Sequence, residues 1–435
     1  MVAPGGLLDL DITAETAVQP EGLLPECAAR RFANETFDPT LAAARARIGA
    51  VRPAAYARTR NALDGAVSGL SPYITHGFVT LADVLAGVAA RHALGVQHKF
   101  VFELGWRVYF RHVWQHRGEA ILHSLREGPL PDGAYDRVLP ADIRQGCTGV
   151  PVVDEAVRAL YASGTLHNHA RMWLASYVVH VRKVHWRAGA DWLYGHLLDG
   201  DLASNHLSWQ WVAGTGSSKP YLFNAANVAR YAPASWHSPS SVIDKSYDVL
   251  DRLARQPAQH GQREPGAQTK GAARVEPALV AEPPCEPGLT PPGTAAVAGR
   301  DVWLVHPWSL GELPAALPAG TLVLGVFVAD FHRAWPWSER RWHFVASRMA
   351  ALAAERWYGD AIAIGAALKG ARSVRSIDEP HLAPWLARWA ECRAAPALFQ
   401  PIGRRCDSFS QWWVRASHGP DAAADLLAFN QVPAW

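Results

Sequence analysis

Asp201, Asn205 and Trp209 recur every fourth residue in Asp199-Gly-Asp-Leu-Ala-Ser-Asn-His-Leu-Ser-Trp-Gln-Trp211. The segment reads as a helix, on which side chains four apart lie one above another. A carboxylate, an amide and an indole on one stripe make a poor core face, because buried Asp and Asn need partners. They make a good wall for a flat, polar-edged aromatic ligand. The plain alternative is a capped helix, with Asp199 or Asp201 as the cap and Trp209 and Trp211 merely packing.

Three more clusters could act with that stripe. Ser68-Gly-Leu-Ser-Pro72 places Ser68, Leu70 and Ser71 just ahead of a helix, where N–H groups and hydroxyls bind phosphate, or where a Ser simply caps. In Phe102-Glu-Leu-Gly-Trp-Arg107, Glu103, Trp106 and Arg107 share a face, suited either to a heterocycle lying on the indole or to an intrahelical Glu–Arg pair beside a core Trp. His167-Asn-His-Ala-Arg-Met172 sets Asn168 over Met172 and His167 over Arg171, as a pocket wall or as a capped helix with a core Met.

The elements that must position these residues are mostly helices. From Glu26 to Tyr247 apolar residues fall at three- and four-residue spacing, with helices at Lys99 to Arg117, Val152 to Ala162, His167 to Val184 and Asp191 to Leu198. From about Asp251 to Gly299 Pro, Ala, Gly, Glu and Gln dominate, as in Glu282-Pro-Pro-Cys-Glu-Pro-Gly288, which predicts a flexible linker. Beyond it, Val302 to His306 and Thr321 to Ala329 read as buried strands, Arg341 to Trp357 as a helix and Ala361 to Gly365 as a further strand. The expected organisation is therefore an N-terminal extension (1–25), a helical domain (26–247), a linker (248–300) and a small parallel α/β domain (301–435). That last unit has no Gly-x-Gly-x-x-Gly or Walker loop, so no nucleotide is assigned to it. It holds 11 of the 19 tryptophans, a load that points to packing more than to chemistry.

Composition narrows the function classes. The 435 residues, 49% of them hydrophobic, suffice for two or three cores. Met1 to Gln19 lacks the pattern of a secretory signal and no apolar run is long enough to span a bilayer, so no membrane role is expected. Five scattered cysteines with no Cys-x-x-Cys pair argue against a disulfide framework or a metal site and suit a reducing cytoplasm. A net charge of only +3 means that any nucleic-acid affinity must be local. The candidate is the acid-free stretch between Glu155 and Asp191, with Arg158, Arg171, Arg182, Lys183 and Arg187; solvated helix-face charges would look the same.

In this order and at these separations the clusters resemble the flavin-binding domain of the cryptochrome/photolyase family. The resemblance runs from about Leu23 to Pro233 and includes Cys147-Thr-Gly-Val-Pro-Val-Val-Asp-Glu-Ala-Val-Arg158 and Ala213-Gly-Thr-Gly-Ser-Ser-Lys219. It implies a mainly α fold, in which an all-helical photolyase-type FAD-binding domain is followed by a linker and the small α/β domain. It implies FAD as cofactor, with Ser68, Leu70, Ser71 and Tyr56 near the phosphates; Val67 stands where the family prefers Thr. Asp199 and Arg171 match an ion pair over the flavin, Asp201 a residue touching it, and Asn205 the position facing flavin N5, where photolyases commonly carry Asn.

The resemblance also implies a substrate. Glu103, Trp106, Asn168, Met172 and Trp211 match the residues that receive a cyclobutane pyrimidine dimer flipped out of DNA, with Arg107, Arg158, Arg182 and Lys183 as DNA contacts. Trp209 and Trp186 match the inner members of a tryptophan chain that photoreduces the flavin, the outer member being open among Trp114, Trp192 and Tyr135. The enzyme so implied is a deoxyribodipyrimidine photolyase acting on dimer-containing DNA. A cryptochrome-like blue-light receptor is the alternative, and a flavin-free helical scaffold the third. The α/β unit faintly resembles the family's antenna domain, placed after the helices instead of before them. His306-Pro-Trp-Ser309 stands where an Arg-rich turn belongs, which argues against a folate or deazaflavin antenna. The unit is expected to dock on the helical domain or to contact a partner.

Overall fold

The computed structural model describes residues 36–258, 273–284 and 288–429. The expected N-terminal extension and the middle of the expected linker lie outside them. Between residues 36 and 258 the regular elements are helices, and six of them carry the candidate residues: α1 (Ser71–Thr75), α2 (Lys99–Arg117), α3 (Pro151–Ser163), α4 (Asn168–Ser176), α5 (Trp186–His196) and α6 (Leu202–Ala213). The α2 range is the one its periodicity predicts. A π-turn, Tyr177–Val181, follows α4 and ends at Lys183 in left-handed backbone, so the long helix expected from His167 to Val184 is broken.

Three of these helices begin on a histidine. The Nδ1 atoms of His98, His167 and His185 accept the N–H groups of Phe100, His169 and Arg187 at 3.1, 3.1 and 3.2 Å. An imidazole can accept there only while that nitrogen is unprotonated. Burial supplies the condition, lowering all three pKa values, that of His167 to about 3. Usual capping signals are Ser, Thr, Asp and Asn. This is why α5 starts five residues before the Asp191 that the sequence suggested.

The second half is built on a six-stranded, all-parallel sheet. Its strands are β2 (Leu289–Thr290), β3 (Asp301–Val305), β4 (Leu322–Val328), β6 (Glu355–Gly359), β7 (Ser373–Ile377) and β8 (Glu391–Arg393), in the order β2-β6-β4-β3-β7-β8. A separate antiparallel pair joins β1 (Leu279–Val280) to β5 (Trp337–Ser338). The expected linker is thus shorter than 248–300: a helix Tyr247–Ala254, β1, β2 and a turn of helix Thr294–Val297 lie within that range. Two other expectations are corrected. Helix α7 (Glu339–Leu352) stops before Ala353, leaving Glu355–Gly359 to form β6, and Ala361 to Gly365 belongs to helix Ala361–Leu368. Alternating Ala and Ile fit either period; the deciding signal is Asp360, whose carboxylate caps the helix by accepting from Ala363 N at 2.7 Å.

The halves share a core. Phe78 stacks on Phe344 of α7 at 5.1 Å, and Gly77, at φ +66°, has the carbonyl oxygen of Trp308 where a Cβ would stand, 2.3 Å away. The sheet presents the C-terminal ends of its strands to the helices: Trp308 follows β3, Phe331 follows β4, and His381, following β7, stacks on Trp308 at 4.3 Å. Among the described residues no helix is long and apolar enough to cross a membrane.

Candidate active site

The helical half encloses a cavity of about 1590 Å³. Small-molecule pockets are typically about 300–1,000 Å³, so there is room for a large coenzyme and a second guest. Its lining includes Tyr56, Ser68, Leu70, Ser71, Glu103, Trp106, Arg107, Asn168, Arg171, Met172, Asp199, Asp201, Asn205 and Trp209. Residues from four separate clusters, spread over 154 positions between Tyr56 and Trp209, therefore meet in one space.

The stripe on α6 is both a cap and a wall. Asp201 is the N-cap, its Oδ1 accepting from Ser204 N at 2.8 Å, while its Oδ2 accepts from Arg111 at 2.6 Å. Burial opposes the charged carboxylate, and the Arg111 guanidinium outweighs it, holding Asp201 well below the usual carboxylate range. One turn on, Asn205 Nδ2 donates to Ala190 O at 2.8 Å, fixing the amide plane at the cavity. A further turn on stands Trp209, against which a Cβ on Gly189 would come within 2.3 Å. Gly189 thus lets α5, the helix that carries Trp186, lie flat against the Trp209 ring.

The turn between α5 and α6 carries the second carboxylate. Both oxygens of Asp199 accept from Arg171 Nη2, at 2.8 and 2.9 Å, across from α4. Thr75 of α1 donates to the Asp199 carbonyl at 3.2 Å and accepts from Arg107 at 2.8 Å. Arg107 is thereby held half-buried on the cavity wall, its guanidinium on Thr75 and its pKa lowered by burial. Helix α1 has no side-chain cap. Its five residues make a weak dipole, so any anion here would lean on the hydroxyls of Ser68 and Ser71.

The substrate-side set is partly assembled. Glu103 lies 3.6 Å from Arg60 and 3.9 Å from Lys99, yet burial raises its pKa against both cations. Asn168 Nδ2 donates to Met172 Sδ at 3.6 Å, as the four-residue spacing predicts. Trp106 is backed by Phe409 of α8 (Phe409–Ala416), stacked at 3.9 Å and 12°, a contribution from the second half that nothing in the sequence signals. Trp211 does not line the cavity; it packs on Tyr221 at 5.4 Å.

The acid-free stretch is not a free basic face. Arg158 pairs with Glu155 at 2.9 Å, Arg182 with Asp142 at 2.7 Å and Arg187 with Asp191 at 2.5 Å. Lys183 is buried, and its Nζ donates to the carbonyls of Leu253 and Ala254. Lys183 is therefore corrected from a DNA contact to an internal brace, and Arg182 is engaged at the surface by Asp142, because these acceptors come from elsewhere in the fold. Exposed Arg58 and Arg230 line the cavity instead.

Trp186 is buried, with Nε1 donating to Ser124 Oγ at 3.0 Å. Two ring paths lead from it. One passes His185 (5.6 Å) to Tyr135 (6.3 Å); the other passes His206 (6.3 Å) to Trp335 (5.4 Å) of the second half. Trp114 lies instead against His381 at 4.9 Å, and Trp192 donates to Glu276 at 3.0 Å.

The lining fits a bent, polar-edged coenzyme. Ser204 Oγ and Trp106 Nε1 are buried without a hydrogen-bond partner among the described residues, in a wall that already offers an ion pair, a fixed amide and the hydroxyls of Ser68 and Ser71. Buried polar atoms in folded proteins are nearly always satisfied. Such a wall defines a cofactor-binding helical domain. Residues 100–237 match the family described as the FAD binding domain of DNA photolyase. A deoxyribodipyrimidine photo-lyase of Streptomyces griseus is 39% identical over 153 residues, 35% of this chain and 33% of that protein. A chloroplastic/mitochondrial cryptochrome DASH of Ostreococcus tauri is 32% identical over 191 residues, 42% of this chain and 35% of that one. A solved cryptochrome structure from Synechocystis aligns at 24% identity and a TM-score of 0.42 over 51% of this chain and 52% of that one. The helical half is thus similar, over residues 100–237, to the FAD binding domain of DNA photolyase and, more widely, to photolyases and cryptochromes. The chain spans between about a quarter and a half of the length of the curated relatives it matches.

Proposed function

We propose that this chain is a light-dependent DNA repair enzyme that holds FAD in the cavity and splits cyclobutane pyrimidine dimers flipped out of DNA. The observation that carries the reading is the convergence of Glu103, Trp106, Asn168 and Met172 on the same cavity as Asp199, Asp201, Asn205 and Trp209. Bound FAD supplies one electron to the dimer on excitation by blue light and recovers it once the ring has opened. The residues hold both guests. The Asp199–Arg171 pair and the Asp201 carboxylate form a polar shelf, and Asn205 presents a neutral amide that has no acidic proton to give the coenzyme. With its pKa raised, the Glu103 carboxyl has a protonated form that can donate to a pyrimidine carbonyl, while Asn168 takes a second polar edge. Trp106 offers its face and Met172 its thioether to the apolar ring. Flipping a damaged base out of the stack costs about a few kcal/mol, which stacking on Trp106 offsets at roughly 1–3 kcal/mol per base. Arg58 and Arg230, exposed at the cavity, are placed to meet phosphates. Electrons enter the site through Trp209 and Trp186.

An absorbance scan for bound flavin, followed by repair of a dimer-containing oligonucleotide in light and in darkness, tests the reading. Light-driven repair should be lost in Asn205→Ala and in Trp106→Ala; full repair by both variants would sink it. A cryptochrome-like photoreceptor is the second reading, favoured by the similarity to a cryptochrome DASH and by the stacking of Phe409 of the α/β half behind the wall residue Trp106. It predicts a flavin spectrum and a light-triggered change in hydrogen exchange without repair.

A further inference from the structure

Asp201 faces the cavity, but the groups that hold it reach back into the α/β half. Its partner Arg111 donates with the other Nη to Glu379 at 2.7 Å, so one guanidinium bridges a carboxylate of each half. Glu379 in turn accepts from His381 Nδ1 at 2.5 Å, and His381 Nε2 lies 3.4 Å from the N–H of Leu202. Those two partners assign the tautomer, with the proton on Nδ1 and the lone pair on Nε2. Leu202 is the first residue of α6, whose N–H has no acceptor within its own helix. The loop after β7 therefore supports both the capping carboxylate of the stripe helix and its first amide.

A second contact clamps the same turn. Arg341 of α7 is fully buried and donates to the carbonyls of Tyr194 and Gly200, at 3.0 and 2.6 Å, on either side of Asp199 in sequence. A Cβ on residue 200 would sit 2.4 Å from that guanidinium, so Gly200 admits it. Among the described residues no carboxylate pairs with Arg341; its charge rests on the faces of Trp337 (4.1 Å) and Tyr194 (4.7 Å). A buried cation without a counter-ion is costly. Here it points at the backbone that carries both cavity carboxylates.

We infer that Glu379, His381 and Arg341 are positioning residues through which the α/β half sets the N-terminus of α6, and with it Asp201, for binding FAD. The inference rests on the FAD reading above. Its test is a titration of the full chain, freed of flavin, with FAD, followed by flavin fluorescence. Glu379→Gln should raise the dissociation constant about tenfold or more, and Glu379→Asp should recover most of the loss. His381→Phe keeps the ring on Trp308, removes both nitrogens and should weaken FAD about two- to tenfold; it decides the matter if Glu379→Gln does not fold. Asp301→Asn, which removes a surface ion pair with Arg372 on the same sheet, should leave FAD binding unchanged. In the flavin-free state both seam variants should speed amide exchange at Leu202 to Asn205. Folded Glu379→Gln and His381→Phe chains that bind FAD as the wild type does would overturn this inference alone. A wild-type chain that takes up no FAD would overturn it together with the functional reading.

Discussion

The two halves put their aromatic side chains to opposite uses. In the α/β half, His332, Trp337 and Trp342 pack ring to ring at 4.3 to 5.0 Å, each at most 1% exposed, and Trp308 is closed off by His381. In the helical half, Trp106 and Trp209 stand on the wall of a cavity of about 1590 Å³, among carboxylates and amides. The half richer in tryptophan is the one whose indoles mainly pack. Indoles therefore mark chemistry only where packing stops and polar groups converge; elsewhere they supply area and rigidity. The seam between the halves combines both uses, because rings such as Phe409 and Trp308 carry no polar duty yet hold the residues that do.

The largest expected effect comes from breaking that seam. Arg111→Met leaves Asp201 and Glu379 buried without their shared cation, and should cost about 3–5 kcal/mol of stability in denaturant unfolding. Removal of the exposed Arg255–Asp251 pair should leave the midpoint where it was. Next, Trp106→Ala should weaken binding of dimer-containing DNA by roughly 5- to 150-fold, the 1–3 kcal/mol of one stacked base, while Trp335→Phe leaves it unchanged. Equal losses in both variants would erase the distinction drawn between wall and packing tryptophans.

Acid should separate the seam from the cavity mouth. Glu379 is buried, which opposes its charge, but Arg111 and then His381 hold its pKa down to about 2 from 4.5. A depressed carboxylate contributes stability that is complete above its unfolded value and drains away as pH falls through the folded one. The seam should therefore loosen only between about pH 4.5 and 2, and in Glu379→Gln that part of the acid transition should vanish. Glu103 moves the other way: its raised pKa keeps the donating, protonated form into less acidic solution. Affinity for the dimer should fall as pH rises through that pKa, and Glu103→Gln, a permanent donor, should flatten the profile. The smallest effect expected is on photoreduction. Trp335→Phe and Tyr135→Phe each remove one of two ring paths from Trp186, so each should slow it modestly and the double variant more.

Much of the helical half was legible because helical periodicity and four-residue spacing are local. Asp201, Asn205 and Trp209 had to share a face once α6 formed, as did Asn168 and Met172. Arg111, one turn beyond Arg107 on the Glu103 stripe, was within reach of the same argument and was missed. The histidine caps were not, since a His accepts at a helix start only where burial keeps it neutral, and burial is not a local property. The Ala361 to Gly365 segment shows the limit for strands, where alternation alone does not separate a strand from a capped helix.

By itself, the order of residues determined which side chains share a helix face and, through the spacing of four weak clusters, the resemblance of the helical half to a flavin-binding domain. Only the tertiary structure decided which charges are free. The acid-free run from Arg158 to Arg187 looked like a basic patch until Asp142 and Asp199 came in from other segments to pair with Arg182 and Arg171, while Glu155 and Asp191, at its two ends, pair along their own helices with Arg158 and Arg187. Likewise, nothing near Asp201 in sequence announces Glu379, 178 positions away. The reason is physical: a stripe depends on the 3.6-residue turn of one helix, whereas a buried ion pair depends on two elements meeting with water excluded.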